Sequence, residues 1–320
     1  MQGTAVHDQR AREPRADDAN ADESRPDDLG GTEPGTHGTQ GAAELRAWRR
    51  HVVAFAWPTV VFAGVIVVAF ATVVASAVVG AIPLWLGFLL NTVVAYAAFT
   101  PGHEAAHWNI AGRHSRFRWL NEACGWISMA IMFDNFAVLR AAHMQHHAHT
   151  NDPEKDPDYF VPDSSAFRVL VRSFVLFSGY LRDYVADTKR KPNGRRRRLG
   201  ALCFSGGLVA IAIGLGAAGY LREVLALWVL PAPAAFLILA LVFDYLPHRP
   251  HRSVERYTNT KIILFPGLNT LLLGQNYHLI HHLYPAVPFY RMGACFRDVR
   301  SNLVAHGAPI VDLTGAPAPR

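Results

Sequence analysis

The chain has 320 residues, of which 51% are hydrophobic, and a formal net charge of +6. Its apolar residues gather into blocks too long for the core of a water-soluble domain, and its arginines flank those blocks instead of lining one polar face, which argues against nucleic acid as a partner. Cys124, Cys203 and Cys295 are far apart and form no CxxC, so neither a disulfide framework nor a cysteine zinc site is indicated.

Residues 1–43 are rich in Asp, Glu, Gly, Pro, Thr and Arg, with almost no large apolar side chains. Such a segment cannot bury enough surface to offset the entropy lost on ordering, and it is expected to be an unstructured tail ahead of a domain over 44–320. No apolar stretch follows its charges, so it does not read as a secretory signal. From Val52 to Phe99 the sequence is apolar almost throughout. Crossing the hydrocarbon core takes about 20 residues, so this block predicts two spans with a break near Gly80–Pro83. A second pair is predicted over 200–220 and 224–246. The fold class is therefore all-α and integral to the membrane, with four transmembrane helices in two hairpins.

Hairpins return the chain to its starting side, so the N-terminal tail, residues 101–199 and the C-terminus are expected to share one face. Arg46, Arg49 and Arg50 precede the first span and KRKPNGRRRR (Lys189–Arg198) precedes the third, whereas Arg222 stands alone on the opposite side. The bias of basic residues makes the shared face cytoplasmic, in the cell's inner (plasma) membrane. Trp126–Ala142 and Phe167–Val185 are apolar segments flanked by charges and suit interfacial amphipathic helices. Ile262–Leu273 is a further one or a segment that dips into the membrane without crossing it.

Twelve of the sixteen histidines lie within 103–149 and 248–282. HEAAH carries His103 and His107, HMQHH carries His143, His146 and His147, and HLIHH carries His278, His281 and His282; His248 closes the fourth span. Residues three and four apart share a helix face, so each cluster points two or three imidazoles the same way, as a helical cap over the spans. Neutral imidazole is a ligand for iron, zinc, copper and nickel. A structural zinc needs four ligands, and the clusters alone offer eight, a surplus that suggests two metals. Two irons are a usual means of activating dioxygen where no haem or flavin motif is present, and neither CxxCH nor a GxGxxG between strand and helix occurs. His7, His37, His51 and His306 read as inert, and His114, His149 and His251 as surface residues or supports of a ligand. HEAAH also fits HExxH, the motif of zinc metalloproteases with Glu104 as general base, but an intramembrane protease would leave six clustered histidines without a role.

With its three histidine boxes and four spans, the chain from about Arg46 to Met292 resembles the membrane fatty-acid desaturase and hydroxylase superfamily. FDYLPHRP (Phe243–Pro250), GQNYHLIHHLYPAVPFYR (Gly274–Arg291) and HHAHTNDPEKDPD (His146–Asp158) are most similar to the cyanobacterial-type beta-carotene hydroxylases. The resemblance implies metal ligation by His103, His107, His143, His146, His147, His278, His281 and His282, with His248 as the additional ligand. Asp244 lies one turn before His248, where acyl-CoA desaturases place an asparagine near a metal-bound water; it implies either ligation of iron or orientation of water. The first box carries Glu104 where that branch carries aspartate.

The chemistry so implied is oxygen activation at two irons and abstraction of hydrogen from an unactivated C–H, ending in hydroxylation or desaturation. Ring hydroxylation of a carotenoid such as beta-carotene is the leading expectation, and an acyl-lipid desaturase or hydroxylase the alternative. The sequence shows no cytochrome b5-like segment, iron–sulfur cysteine cluster or nicotinamide fold, so electrons are expected from a partner such as ferredoxin. Arg195–Arg198 could steer an acidic donor, though the same run suffices as a topology signal.

Overall fold

The computed structural model describes residues 39–112, 114–162 and 165–318. The expected tail over 1–38, with His7 and His37, lies outside the described residues. Helix α1 (Thr39–Arg49) begins within the last residues assigned to that tail.

Two long apolar helices follow, α2 (Trp57–Val78) and α3 (Leu84–Ala106), packed on each other. Pro58 in the first turn of α2 uses a position whose backbone N–H has no intrahelical partner in any case. Gly80, at φ +74°, turns the chain between the two, a conformation that side chains with a Cβ resist. Trp57, Val61, Val65 and Val68 are each more than half exposed along α2. A stripe of that kind needs an apolar solvent. The second span runs further than expected: its last turn carries His103 and Glu104, so the first cluster is the end of the span and does not follow it.

The expected third and fourth spans form one helical path from Gly194 to His248. At a rise of about 1.5 Å per residue it is far too long for a single crossing. It breaks at Gly219, φ +100°, and α7 (Gly194–Leu215) and α8 (Pro231–Leu239) return on the same core: Ala201 and Ala240 belong to one buried cluster. By length and composition three helical runs suit a membrane crossing. A fourth candidate is a bent pair, α4 (Arg118–Ile131) and α5 (Phe136–His149), which meet at 104°.

That bend corrects the continuous helix expected over Trp126–Ala142. Phe133 takes positive φ, and the Asn135 side chain caps α5 by accepting from Ala137 N and Val138 N at 3.1 and 3.3 Å. Its amide donates to Ala201 O and Ser205 Oγ, so the corner is fastened to α7. The segment around Phe167–Val185 does form a long amphipathic helix, α6 (Ala166–Arg190): Val169, Leu176, Tyr180 and Tyr184 are buried at steps of seven, four and four, while Phe167 and Phe174 face outward.

Ile262–Leu273 departs from expectation. Ile262–Ile263 (β1) pairs in parallel with Ile310–Val311 (β2), and only Leu268–Leu271 is helical. Ile262 is fully buried and Ile263, Ile310 and Val311 are half-buried, β-branched side chains paired across two strands instead of following a helical face. Ile262 belongs to a second core with Leu279, Ile280, Tyr284, Met292, Phe296 and Val299, which holds α9 (His278–Leu283) against α10 (Met292–Ala305).

Candidate metal centre

Nine imidazoles from four elements meet in one region. His103 ends α3 and His107 caps it; His143, His146 and His147 lie on α5; His248 closes the Gly194–His248 path; His278, His281 and His282 lie on α9. They sort into two groups whose ring nitrogens lie within 4.8 Å of one another: His103, His107, His143, His147 and His281, and separately His146, His248, His278 and His282.

The division follows from helix geometry. At 100° per residue, His143 and His147 nearly eclipse each other whereas His146 and His147 diverge by about 100°. The same holds for His278 and His282 against His281. Each adjacent His-His pair therefore serves both groups, one ring to each. His147 and His282 stack across the divide, centroids 4.2 Å apart and planes 10° apart.

The spacing of nitrogens tests whether a cation fits. His281 Nε2 lies 3.0 Å from His103 Nε2 and 2.8 Å from His147 Nε2; His278 Nε2 lies 2.9 Å from His248 Nε2 and 3.1 Å from His282 Nε2. A neutral imidazole carries one N–H, so one nitrogen facing two others cannot satisfy both as hydrogen bonds. Two ligands at right angles with bonds of about 2.1 Å stand about 3.0 Å apart, which is the spacing seen. Burial, with help from the neighbouring imidazoles, drives His107, His281 and His282 well below the usual histidine range, and His278 to about 3. These four rings are thus held in the neutral, ligating form; burial acts the same way on His146, but Asp158 and Asp156 outweigh it and raise that ring to about 9.

The second group has carboxylates behind it. His146 Nδ1 faces Asp156 Oδ1 at 2.9 Å and Asp158 Oδ2 at 3.3 Å, an arrangement that fixes the tautomer so that Nε2 points into the group. Asp156 also accepts from Asn151 N and Asp158 N, and Tyr180 donates to Asp158. Thr150 Oγ1 lies 3.2 Å from His282 Nδ1. Asp156, Asp158, Tyr180 and Thr150 were not legible as site residues. The two aspartates sit ten and twelve residues after His146 in a Pro-containing loop, where no periodicity marks them.

A small cavity of about 50 Å³ opens beside both groups, walled by Phe99, Leu139, Leu176, Phe236, Leu239, Ala240 and Phe243, with His103, His143, His146 and His278 at its metal end. Asp244 lines it too, yet joins neither group. Glu104 does not: Asn109 Nδ2 and Phe289 N donate to its Oε1, each at 3.3 Å, tying it to the stretch after the third cluster. His251 is buried outside both groups, stacked 6.0 Å from His248; His51 binds Asp298, His306 stacks on Tyr257, and His114 is exposed. His149, at the end of α5, also stays outside.

Spans with outward apolar faces and two nests of largely buried imidazoles, each able to hold a metal ion, define a membrane-associated helical protein with a candidate metal centre. The chain belongs to the fatty acid desaturase family, whose model matches residues 80–314. Among curated proteins it is similar to a dihydrorhizobitoxine desaturase of Bradyrhizobium elkanii, 28% identical over 60% of each chain. A zeaxanthin 4-ketolase of Chlamydomonas reinhardtii is 24% identical over 65% of this chain and 43% of its own length. A Delta(12) fatty acid desaturase of Caenorhabditis elegans is 34% identical over 22% of this chain and 19% of its own. The matches thus span 60% or less of these relatives' lengths.

Proposed function

We propose that the protein is a membrane di-iron oxygenase acting on an unactivated lipid C–H bond, with ring hydroxylation of a carotenoid such as beta-carotene as the leading activity. The observation that carries this reading is the sorting of nine imidazoles into two adjacent groups beside an apolar cavity. His103, His107, His143, His147 and His281 would hold one iron, and His146, His248, His278 and His282 the other. When bound, the pair supplies reductive activation of dioxygen, which is consumed as co-substrate.

The chain's own residues do the rest. Asp156 and Asp158 orient His146, while the Phe99, Phe236 and Phe243 walls exclude water and present the reacting carbon to the imidazole end. The alternative substrate, an acyl lipid undergoing desaturation, is favoured by the relative named a fatty acid desaturase, whereas the ketolase favours the carotenoid. An intramembrane zinc protease has less support, because Glu104 is bound by Asn109 and Phe289 N and is absent from the cavity lining. The arrangement of spans is read as two hairpins in the plasma membrane, with the histidines at the cytoplasmic side and electrons drawn from an external carrier such as ferredoxin.

Expression in a carotene-accumulating host, with pigments and fatty acids analysed together, tests the reading. New oxygenated carotenoid is expected; altered acyl chains alone would shift the assignment to the alternative. Purified protein is expected to hold close to two irons. A single stoichiometric zinc, with peptidase activity lost in Glu104→Gln, would overturn it.

A further inference from the structure

Among the carboxylates and hydroxyls of the cavity wall, one oxygen has no hydrogen-bond partner among the described residues. Of the lining carboxylates and hydroxyls, Tyr180 donates to Asp158 Oδ1, and Asp158 Oδ2 faces His146 Nδ1. Asp244 is 8% exposed, and its Oδ2 is buried without a hydrogen-bond partner among the described residues. It sits in the π-helical turn Ala240–Tyr245, four residues before His248 and hence on the same side of the helix. A π turn of this kind rotates the residues before it relative to a regular helix, a device found often at functional sites.

A hydrocarbon filling this cavity offers Asp244 no partner, and a buried polar group left unpaired is costly. A lipid that brings an O–H or N–H to that point is instead rewarded by a hydrogen bond to the carboxyl oxygen. We propose that Asp244 is a specificity-determining residue that accepts a hydrogen bond from a donor group on the substrate. On the carotenoid reading the better ligand is then a ring that already carries one hydroxyl, with beta-carotene itself accepted but bound more weakly; on the acyl-lipid reading it is a hydroxyacyl chain. This rests on the lipid-oxygenase reading and narrows its substrate class.

The test uses the full-length, iron-loaded protein in nanodiscs and two matched pairs: zeaxanthin against beta-carotene, and a hydroxyacyl phosphatidylcholine against its deoxy counterpart. Binding is followed by quenching of tryptophan fluorescence, and iron content is measured in parallel. The expected result is at least about tenfold tighter binding of the donor-bearing member in one pair by the wild type. Asp244→Ala and Asp244→Leu are expected to lose that preference, to bind the hydrocarbon member more tightly than wild type, and to keep their iron. Loss of one iron equivalent in Asp244→Ala with the site otherwise folded would make Asp244 a ligand and overturn the proposal. Equal affinity for both members in wild type and variant would overturn it while leaving the lipid reading intact. Binding of no member of either pair would overturn both.

Discussion

The carboxylate behind His146 offers the sharpest check on the two-group centre. Asp156 is 7% exposed and accepts three hydrogen bonds, from His146 Nδ1 at 2.9 Å, Asn151 N at 2.7 Å and Asp158 N at 2.9 Å. Asp156→Ala orphans the two backbone donors and leaves His146 Nδ1 only its longer contact with Asp158 Oδ2 at 3.3 Å. An unsatisfied buried donor costs about 1–3 kcal/mol, and the exposed Glu154 and Lys155 let water into this loop, so the lower end applies and the protein is expected to lose about 2 kcal/mol of stability. The metal effect is confined to one group, because only His146 loses its orienting partner. Removing such a partner lowers affinity about 10–100-fold, which is about 1.4–2.7 kcal/mol. Iron-loaded protein would be titrated with a chelator and the retained metal counted. Wild type is expected to release its two equivalents over one range, and Asp156→Ala to release one equivalent at about 10–100-fold lower chelator while the second behaves as before. Loss of both equivalents together, or retention equal to wild type, would refute the assignment of His146 to a separate four-imidazole group.

Metal removal exposes the proton cost of packing neutral imidazoles. His278 is held at about 3 against 6.5 in an unfolded chain, so the folded form stays neutral while the unfolded form takes up a proton below pH 6.5. Stability is therefore full above that value and lost as pH falls; at pH 5 this one residue costs about 2 kcal/mol. His107, His281 and His282 act in the same direction. Metal-free protein is expected to melt at lower temperature at pH 5 than at pH 8, and an unchanged or higher melting point would contradict the buried neutral state. Glu44 of α1 accepts from Tyr257 at 3.0 and 2.9 Å and from the buried Tyr284, beside which Trp48 stacks at 5.4 Å. Glu44→Ala is expected to cost about 2–3 kcal/mol and to loosen α9, read as a lower melting point with reduced iron occupancy; unaltered values of both would remove α1 from the support of the site. Reporter fusions after Arg50, Lys191 and Arg320 are expected to report the cytoplasm, and one near Arg222 the far side. A far-side signal from the Arg320 fusion would separate the third cluster from the other two and dissolve the shared centre.

The sequence determined the parts that follow from local chemistry. Long apolar runs need an apolar solvent, so the spans at 57–78, 84–106 and within 194–248 were legible from composition alone. Each of the nine gathered histidines was marked by helical spacing or by its place at a span's end, because imidazoles three and four apart must share a face. Only the tertiary structure decided what each ring does there. The sequence groups His146 with His147 and His281 with His282, whereas the folded chain assigns the members of each pair to different groups, since one residue of helix turns a side chain by 100°. Asp156 and Asp158 carry no periodic signal, because a loop places its side chains by turns and hydrogen bonds that only the packed neighbours select. The corner at Asn135 and the strand at Ile262 were hidden for a related reason. Both depend on partners far along the chain, Ala201 and Ile310, and no local pattern records a contact that the chain makes only once it has folded.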